Sequence, residues 1–192
     1  YLGLGEVFVF VFFGLVAVLG TTYTQADAVS GLAWAGAIGC GLISTALLMV
    51  NNIRDIPTDR EVGKMTLAAR LGDGPARASY GVMLAVALLL PLFWVAVHPG
   101  LLLVPIGGLL AIRPIRTVLR ADDRRALIPV LRATGVIGIV YAITFTLGAL
   151  LDDTSPMPED IIGPRVLTPG GLLVLGGAPK VGKSDFLISW LV

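Results

Sequence analysis

Apolar and polar residues alternate along this chain in long blocks rather than in the short periods of a soluble fold. Five apolar segments are long enough, at about 17–25 residues, to cross a bilayer as helices. They run Leu4–Thr22, Val29–Val50, Ala78–Val97, Leu101–Val118 and Ile128–Leu151. Between them stand YTQADA, then NNIRDIPTDREVGKMTLAARLG, then HPG, then RTVLRADDRRAL. Pro91 and Pro105 fall inside the third and fourth segments, which spanning helices tolerate when neighbours satisfy the freed carbonyl. Pro129 falls near the start of the fifth, where a missing N–H costs little. The pattern predicts an all-α, multi-pass transmembrane bundle over residues 1–151.

Composition agrees. Hydrophobic residues are 56% of the 192 and charged residues 14%, against about a quarter charged in a soluble domain. The single cysteine, Cys40, lies in an apolar run, so neither a disulfide framework nor a cysteine metal cluster is expected. Tyr1 leads directly into an apolar segment without a basic n-region or a small-residue cleavage site. This argues against a signal peptide and leads us to expect a chain that begins in mid-protein.

Charge placement orients the helices. Up to Leu151 the basic residues are Arg54, Arg60, Lys64, Arg70, Arg77, Arg113, Arg116, Arg120, Arg124, Arg125 and Arg132, all in or flanking the second and fourth connections. The first and third connections contain none. Because basic loops stay in the cytoplasm, Asn51–Gly72 and the Arg116–Leu127 connection are expected to face inward at the cell membrane. A soluble bundle of buried helices has little reason to alternate its charges in this way. No nucleic-acid partner is expected.

Beyond Leu151 the character changes. Residues 152–164 are acidic and proline-rich, as in a linker. Residues 165–192 contain the short apolar run GGLLVLGG, then GAPKVGKS, then DFLISWLV, a strand–glycine loop–helix pattern. Gly177 to Ser184 fits G-x-x-x-x-G-K-[ST]. In that loop backbone N–H groups cradle phosphates, Lys183 reaches the β/γ-phosphates and Ser184 reaches Mg²⁺. Gly177, Gly182, Lys183 and Ser184 are thus candidate nucleotide contacts. The stretch resembles the opening of RecA-like P-loop ATPases. It ends about two turns into the following helix, without a Walker B carboxylate or a parallel sheet, and on the non-cytoplasmic side. It is read as an orphan fragment, and no ATPase activity is expected.

The polar stretch after the second segment carries the chemistry. Asp55 and Asp59 stand four residues apart, on one face if the segment is helical. Pro57 between them would break a helix interior but is tolerable at an irregular end. Two carboxylates at a membrane boundary suit Mg²⁺, which takes one or two protein carboxylates and fills its octahedron with phosphate oxygens and water. Arg54, Arg60, Lys64 and Arg70 are what a diphosphate needs besides metal. Asn51 and Asn52 could meet metal-bound water or substrate. The competing reading is an ordinary solvated loop whose ion pairs contribute little. Against it, amides that end an apolar run are costly there and tend to be functional.

GLGEVFVFVFFGLVAVLGTTYTQ, NNIRDIPTDREVGKMTLAARLG and RPIRTVLRADDRRALIPVLRAT together resemble the bacterial 1,4-dihydroxy-2-naphthoate polyprenyltransferases of menaquinone synthesis, within the UbiA superfamily of intramembrane prenyltransferases. The resemblance runs from Tyr1 to about Leu151. It implies a nine-helix fold around a large cavity, of which these five spans are the last five, with the first four and another aspartate-rich motif outside this chain. It implies that Mg²⁺ held by Asp55, Asp59 and that other motif binds a polyprenyl diphosphate. Lys64, with Arg54, Arg60 and Arg70, would neutralise charge on the leaving group. The allylic cation would then be attacked by the naphthoate ring, with loss of CO₂. Asn51 and Asn52 would orient metal-bound water or the acceptor. The chain alone is expected to be inactive.

Other readings remain open. A related enzyme could use another acceptor, such as 4-hydroxybenzoate, a chlorin or haem. A transporter would place polar groups along helix interiors, whereas here they cluster at one face. A membrane-anchored P-loop nucleotide-binding protein is the third. His98, in the external HPG turn, is expected to be structural or interfacial. Glu6 is expected at headgroup level, with a substrate role as the alternative. Arg113 to Arg125 reads as an orientation and anionic-lipid patch.

Overall fold

A computed structural model describes residues 3–151. The linker and the predicted strand–P-loop–helix, with Gly177, Gly182, Lys183 and Ser184, lie outside the described residues. Among the described residues every regular element is helical. Five helices are long and apolar enough to cross a membrane: α1 (Gly5–Ala26), α2 (Gly31–Glu61), α4 (Asp73–Trp94), α5 (Pro99–Arg120) and α6 (Arg124–Leu151). A single short helix, α3 (Leu67–Leu71), links α2 to α4.

The sequence-predicted spans are recovered, with one correction. The polar stretch is not a loop from Asn51 onward: α2 runs on through it to Glu61 with Pro57 inside the helix. At about 1.5 Å per residue its 31 residues extend about 46 Å, well beyond a hydrocarbon core of about 30 Å. The polar end therefore stands clear of the apolar part as a rigid extension of the same helix.

Pro57 is tolerated because its cost is met from elsewhere in the chain. A proline at 57 cannot donate to the carbonyl of Ile53, four residues back. Ile53 is fully buried, so that carbonyl cannot turn to water. The Arg124 guanidinium, at the start of α6, donates to it instead, and also to Asp73 Oδ1 at 2.9 Å. Asp73 in turn accepts from Arg77 Nε at 2.6 Å. Arg77 donates onward to the carbonyls of Val118 and Ala121 at 2.6 and 2.9 Å. Thus the starts of α4 and α6, the end of α5 and the α2 extension are tied by two arginines and one aspartate. The basic connection is not wholly a lipid-facing patch, since Arg124 is spent on this tie.

Helix α2 is the central element. Of its most apolar 18 residues 56% are buried, against 6% for α1 and 22% for α6. Its Ile43, Met49, Val50 and Ile53 pack with Tyr80 and Leu84 of α4, Val104 and Val118 of α5, and Ile137 and Tyr141 of α6. Outward positions such as Phe12, Phe93, Ile106 and Ile139 are exposed, as residues facing lipid should be. Small residues bring α1 onto α2: a Cβ at Gly14 would lie 2.5 Å from the Gly41 Cα. This close approach, of the kind favoured between membrane helices, falls in a π-helical stretch of α1, Phe10–Val16.

Candidate functional site

The site is assembled where α1, the α2 extension and the segment leading to α3 meet. Helical spacing puts Asn52, Asp55 and Asp59 along one side of α2, each about one turn from the next, with Asn51 beside Asn52 and one turn before Asp55. Gly63, with φ +70°, turns the chain back after α2, a conformation that favours glycine. The Lys64 N–H consequently returns to the Asp59 carbonyl at 2.7 Å. The same turn brings Lys64 Nζ to both Asp59 carboxylate oxygens, at 3.1 and 3.2 Å. Thr66 then caps α3 by accepting from the Ala69 N–H at 3.2 Å.

Asp55 and Asp59 both lie on the helix, as their spacing suggested, yet in different surroundings. The Asp55 side chain is 30% exposed and is held by Arg54 through two bonds, Nε to Oδ1 at 2.7 Å and NH2 to Oδ2 at 2.8 Å. The Asp59 side chain is only 9% exposed. The two carboxylates and two cations therefore neutralise one another in pairs. Arg60 is directed elsewhere, donating to the Ala69 carbonyl at 2.7 Å. Arg70 donates to the Met65 carbonyl at 3.4 Å. Those two guanidiniums brace the α2–α3 corner.

Asn51 and Asn52 diverge. Asn51 lines the end of a groove of about 560 Å³ whose walls come from Val9 and Phe13 of α1, Ser44 and Leu48 of α2, and Leu131 of α6. The groove is apolar, and it ends one turn below Asp55. Asn52 is buried and donates from Nδ2 to Glu6 Oε1 at 2.8 Å. Glu6, expected at headgroup level, lies in the first turn of α1 and is 3% exposed, buried against the polar end of α2. The available signal was an acid inside an otherwise apolar segment, a costly placement that tends to mark function.

The donor chemistry fits Mg²⁺ in part. Asp55 and Asp59 are hard oxygen donors one turn apart, the carboxylate number that Mg²⁺ usually takes from a protein. Among the described residues no group of three or more His, Cys, Asp or Glu gathers to make a fuller cage. His98 stands far along the chain from this site, in the turn before α5, and its Nδ1 is buried without a hydrogen-bond partner.

The sequence profile of the UbiA prenyltransferase family matches residues 1–128. The chain is 45% identical over 150 residues to the 1,4-dihydroxy-2-naphthoate octaprenyltransferase of Mycobacterium tuberculosis, covering 78% of this chain and 51% of that protein. It is 46% identical over 156 residues to the Mycobacterium leprae protein of the same name, with 78% and 51% covered. It is 38% identical over 155 residues to the Escherichia coli one, with 79% and 50% covered. The chain thus spans about half the length of the relatives it matches. These matches lend no support to the P-loop ATPase resemblance. No solved structure gives a significant match.

Proposed function

The chain belongs to the UbiA prenyltransferase family, and we propose that it forms part of an enzyme transferring a polyprenyl group from its diphosphate to 1,4-dihydroxy-2-naphthoate, with loss of CO₂, in menaquinone synthesis. It is a multi-pass membrane protein. The proposed setting is the cell membrane with the α2 extension in the cytoplasm, following the placement of the basic residues. The observation that carries the reading is continuity: an apolar groove along α2 ends at Asn51, one turn below Asp55. A molecule with an isoprenoid tail and a diphosphate head matches that polarity end to end.

In this reading Asp55 and Asp59 hold Mg²⁺ together with the aspartate-rich motif implied by the family resemblance, which would come from the remainder of a protein as long as the relatives. When bound, Mg²⁺ neutralises the diphosphate and makes it a better leaving group. Arg54 and Lys64 exchange their carboxylate partners for phosphate oxygens, so the site stays balanced in charge as it fills. Arg60 and Arg70 keep the α2–α3 corner in place and contribute positive potential. Asn51, at the head of the groove, borders the reacting end of the chain. Val9, Phe13 and Leu48 keep water from the allylic carbon, protecting the cation that the aromatic ring attacks.

Asp55→Asn and Asp59→Asn test the reading with each side chain's shape retained. In full-length protein in detergent, each should lower Mg²⁺-dependent prenyl transfer at least about 100-fold, the loss typical of removing one transition-state charge contact. Turnover like that of wild type in either variant would refute the assigned metal role.

A further inference from the structure

Glu6 is not assigned by the spacing argument that found the aspartates, yet it is bonded directly to the motif. Its carboxylate, 3% exposed on α1, accepts from Asn52 Nδ2 across the α1–α2 contact. The Glu6 carbonyl also lies 3.5 Å from the Thr45 hydroxyl, and Gly14 and Gly41 bring the two helices into backbone contact two to three turns away. An ionised or neutral carboxyl sealed among apolar helices costs free energy unless it is well partnered. A neutral amide is a weak partner for such a group. For stability alone, two apolar residues of similar shape would serve as well or better.

We propose that Glu6 is a positioning residue of the diphosphate site: its carboxylate fixes the Asn52 amide with Nδ2 toward α1, so that Asn52 presents its carbonyl oxygen to the site. Glu6 Oε1 accepts from the Nδ2 end of the amide, which leaves Oδ1 as its other end. Asn52 Oδ1 has no hydrogen-bond partner among the described residues, and it is not among the sealed, unpartnered atoms. Asn52 sits one turn before Asp55 and two turns before Asp59 on the same side of α2. A carbonyl oxygen there accepts from metal-bound water; it does not donate to phosphate oxygens. The sequence left metal-bound water and the aromatic substrate both open as partners, and the bond to Glu6 favours metal-bound water.

The inference rests on the prenyl-transfer reading for its ligand, so binding and turnover are measured separately. The full-length protein is titrated with geranylgeranyl diphosphate in Mg²⁺ without acceptor, and transfer kinetics follow. Glu6→Leu frees the amide and should weaken diphosphate binding about 10-fold, equivalent to about 1.4 kcal/mol, with KM for the aromatic acceptor unchanged. Asn52→Asp sets two carboxylates face to face and should lose about 30-fold or more. Glu6→Gln with Asn52→Asp restores one hydrogen bond with donor and acceptor exchanged and still presents an acceptor oxygen. This pair should return to within about 3-fold of wild type. A merely structural contact would alter thermal stability in these variants without that pattern in binding. Unaltered affinity in Glu6→Leu, or a folded double variant no better than Asn52→Asp, overturns the inference alone. A wild-type protein that binds no polyprenyl diphosphate overturns the proposed function and this inference with it.

Discussion

Replacing Arg124 by Ala removes the group that stands in for the N–H missing at Pro57. Two contributions set the cost. The Ile53 carbonyl, on a fully buried residue, loses its partner, and an unsatisfied buried acceptor costs about 1–3 kcal/mol. The bond to Asp73 is worth less, because the Asp73 side chain is 41% exposed and pairs of that kind contribute about 0–1 kcal/mol. Together they predict a loss of about 1–4 kcal/mol, read as a shift in reversible unfolding in mixed detergent–SDS micelles. The decisive control is Pro57→Ala, which returns an N–H to position 57 and lets the helix satisfy Ile53 itself. In that background Arg124→Ala should cost only about 1 kcal/mol or less, a coupling of about 1–3 kcal/mol across 67 positions of sequence. Equal costs in the two backgrounds would refute the claim that Arg124 compensates for the proline.

Two further perturbations test the packing. Gly14→Val drives a side chain into the Gly41 backbone and should destabilise by at least about 1–3 kcal/mol, whereas Gly20→Val, where a Cβ meets nothing within 4 Å, should be nearly neutral in the same unfolding series. Thr134 donates its single hydroxyl proton to the Val130 carbonyl at 2.8 Å, so Tyr80 must be the donor in the 2.8 Å Tyr80–Thr134 bond. Tyr80→Phe should therefore cost about 0.6–1 kcal/mol, and Thr134→Val, which strands the buried tyrosine hydroxyl, about 1–3 kcal/mol; the reverse order would contradict the donor assignment.

The spans and the charged face were legible because both follow from local composition: hydrocarbon thickness fixes segment length, and arginine placement marks the side. The i, i+4 spacing of Asp55 and Asp59 was likewise readable before any fold was known. Three features were not. The helix continues past Pro57 only because Arg124 answers the freed carbonyl, a long-range compensation that no proline rule contains. Lys64 meets Asp59 because Gly63 turns the backbone, which spacing alone did not specify. The burial of Glu6 against α2 was not readable because its partner, Asn52, lies 46 positions away. In each case a local rule was overridden by one side chain arriving from another helix. The G-x-x-x-x-G-K-S sequence at 177–184 lies outside the described residues, and neither the fold nor the family match draws on it.

The central claim is that the α2 extension and its adjoining groove serve prenyl transfer to a dihydroxynaphthoate. Its most direct test is the full-length protein in detergent with a radiolabelled polyprenyl diphosphate and 1,4-dihydroxy-2-naphthoate carrying a labelled carboxyl group. The account predicts Mg²⁺-dependent formation of a prenylated naphthoquinol with release of one labelled CO₂ per product, abolished by chelating the metal. A pure, folded enzyme that forms no such product, or that prenylates 4-hydroxybenzoate in its place, would contradict it.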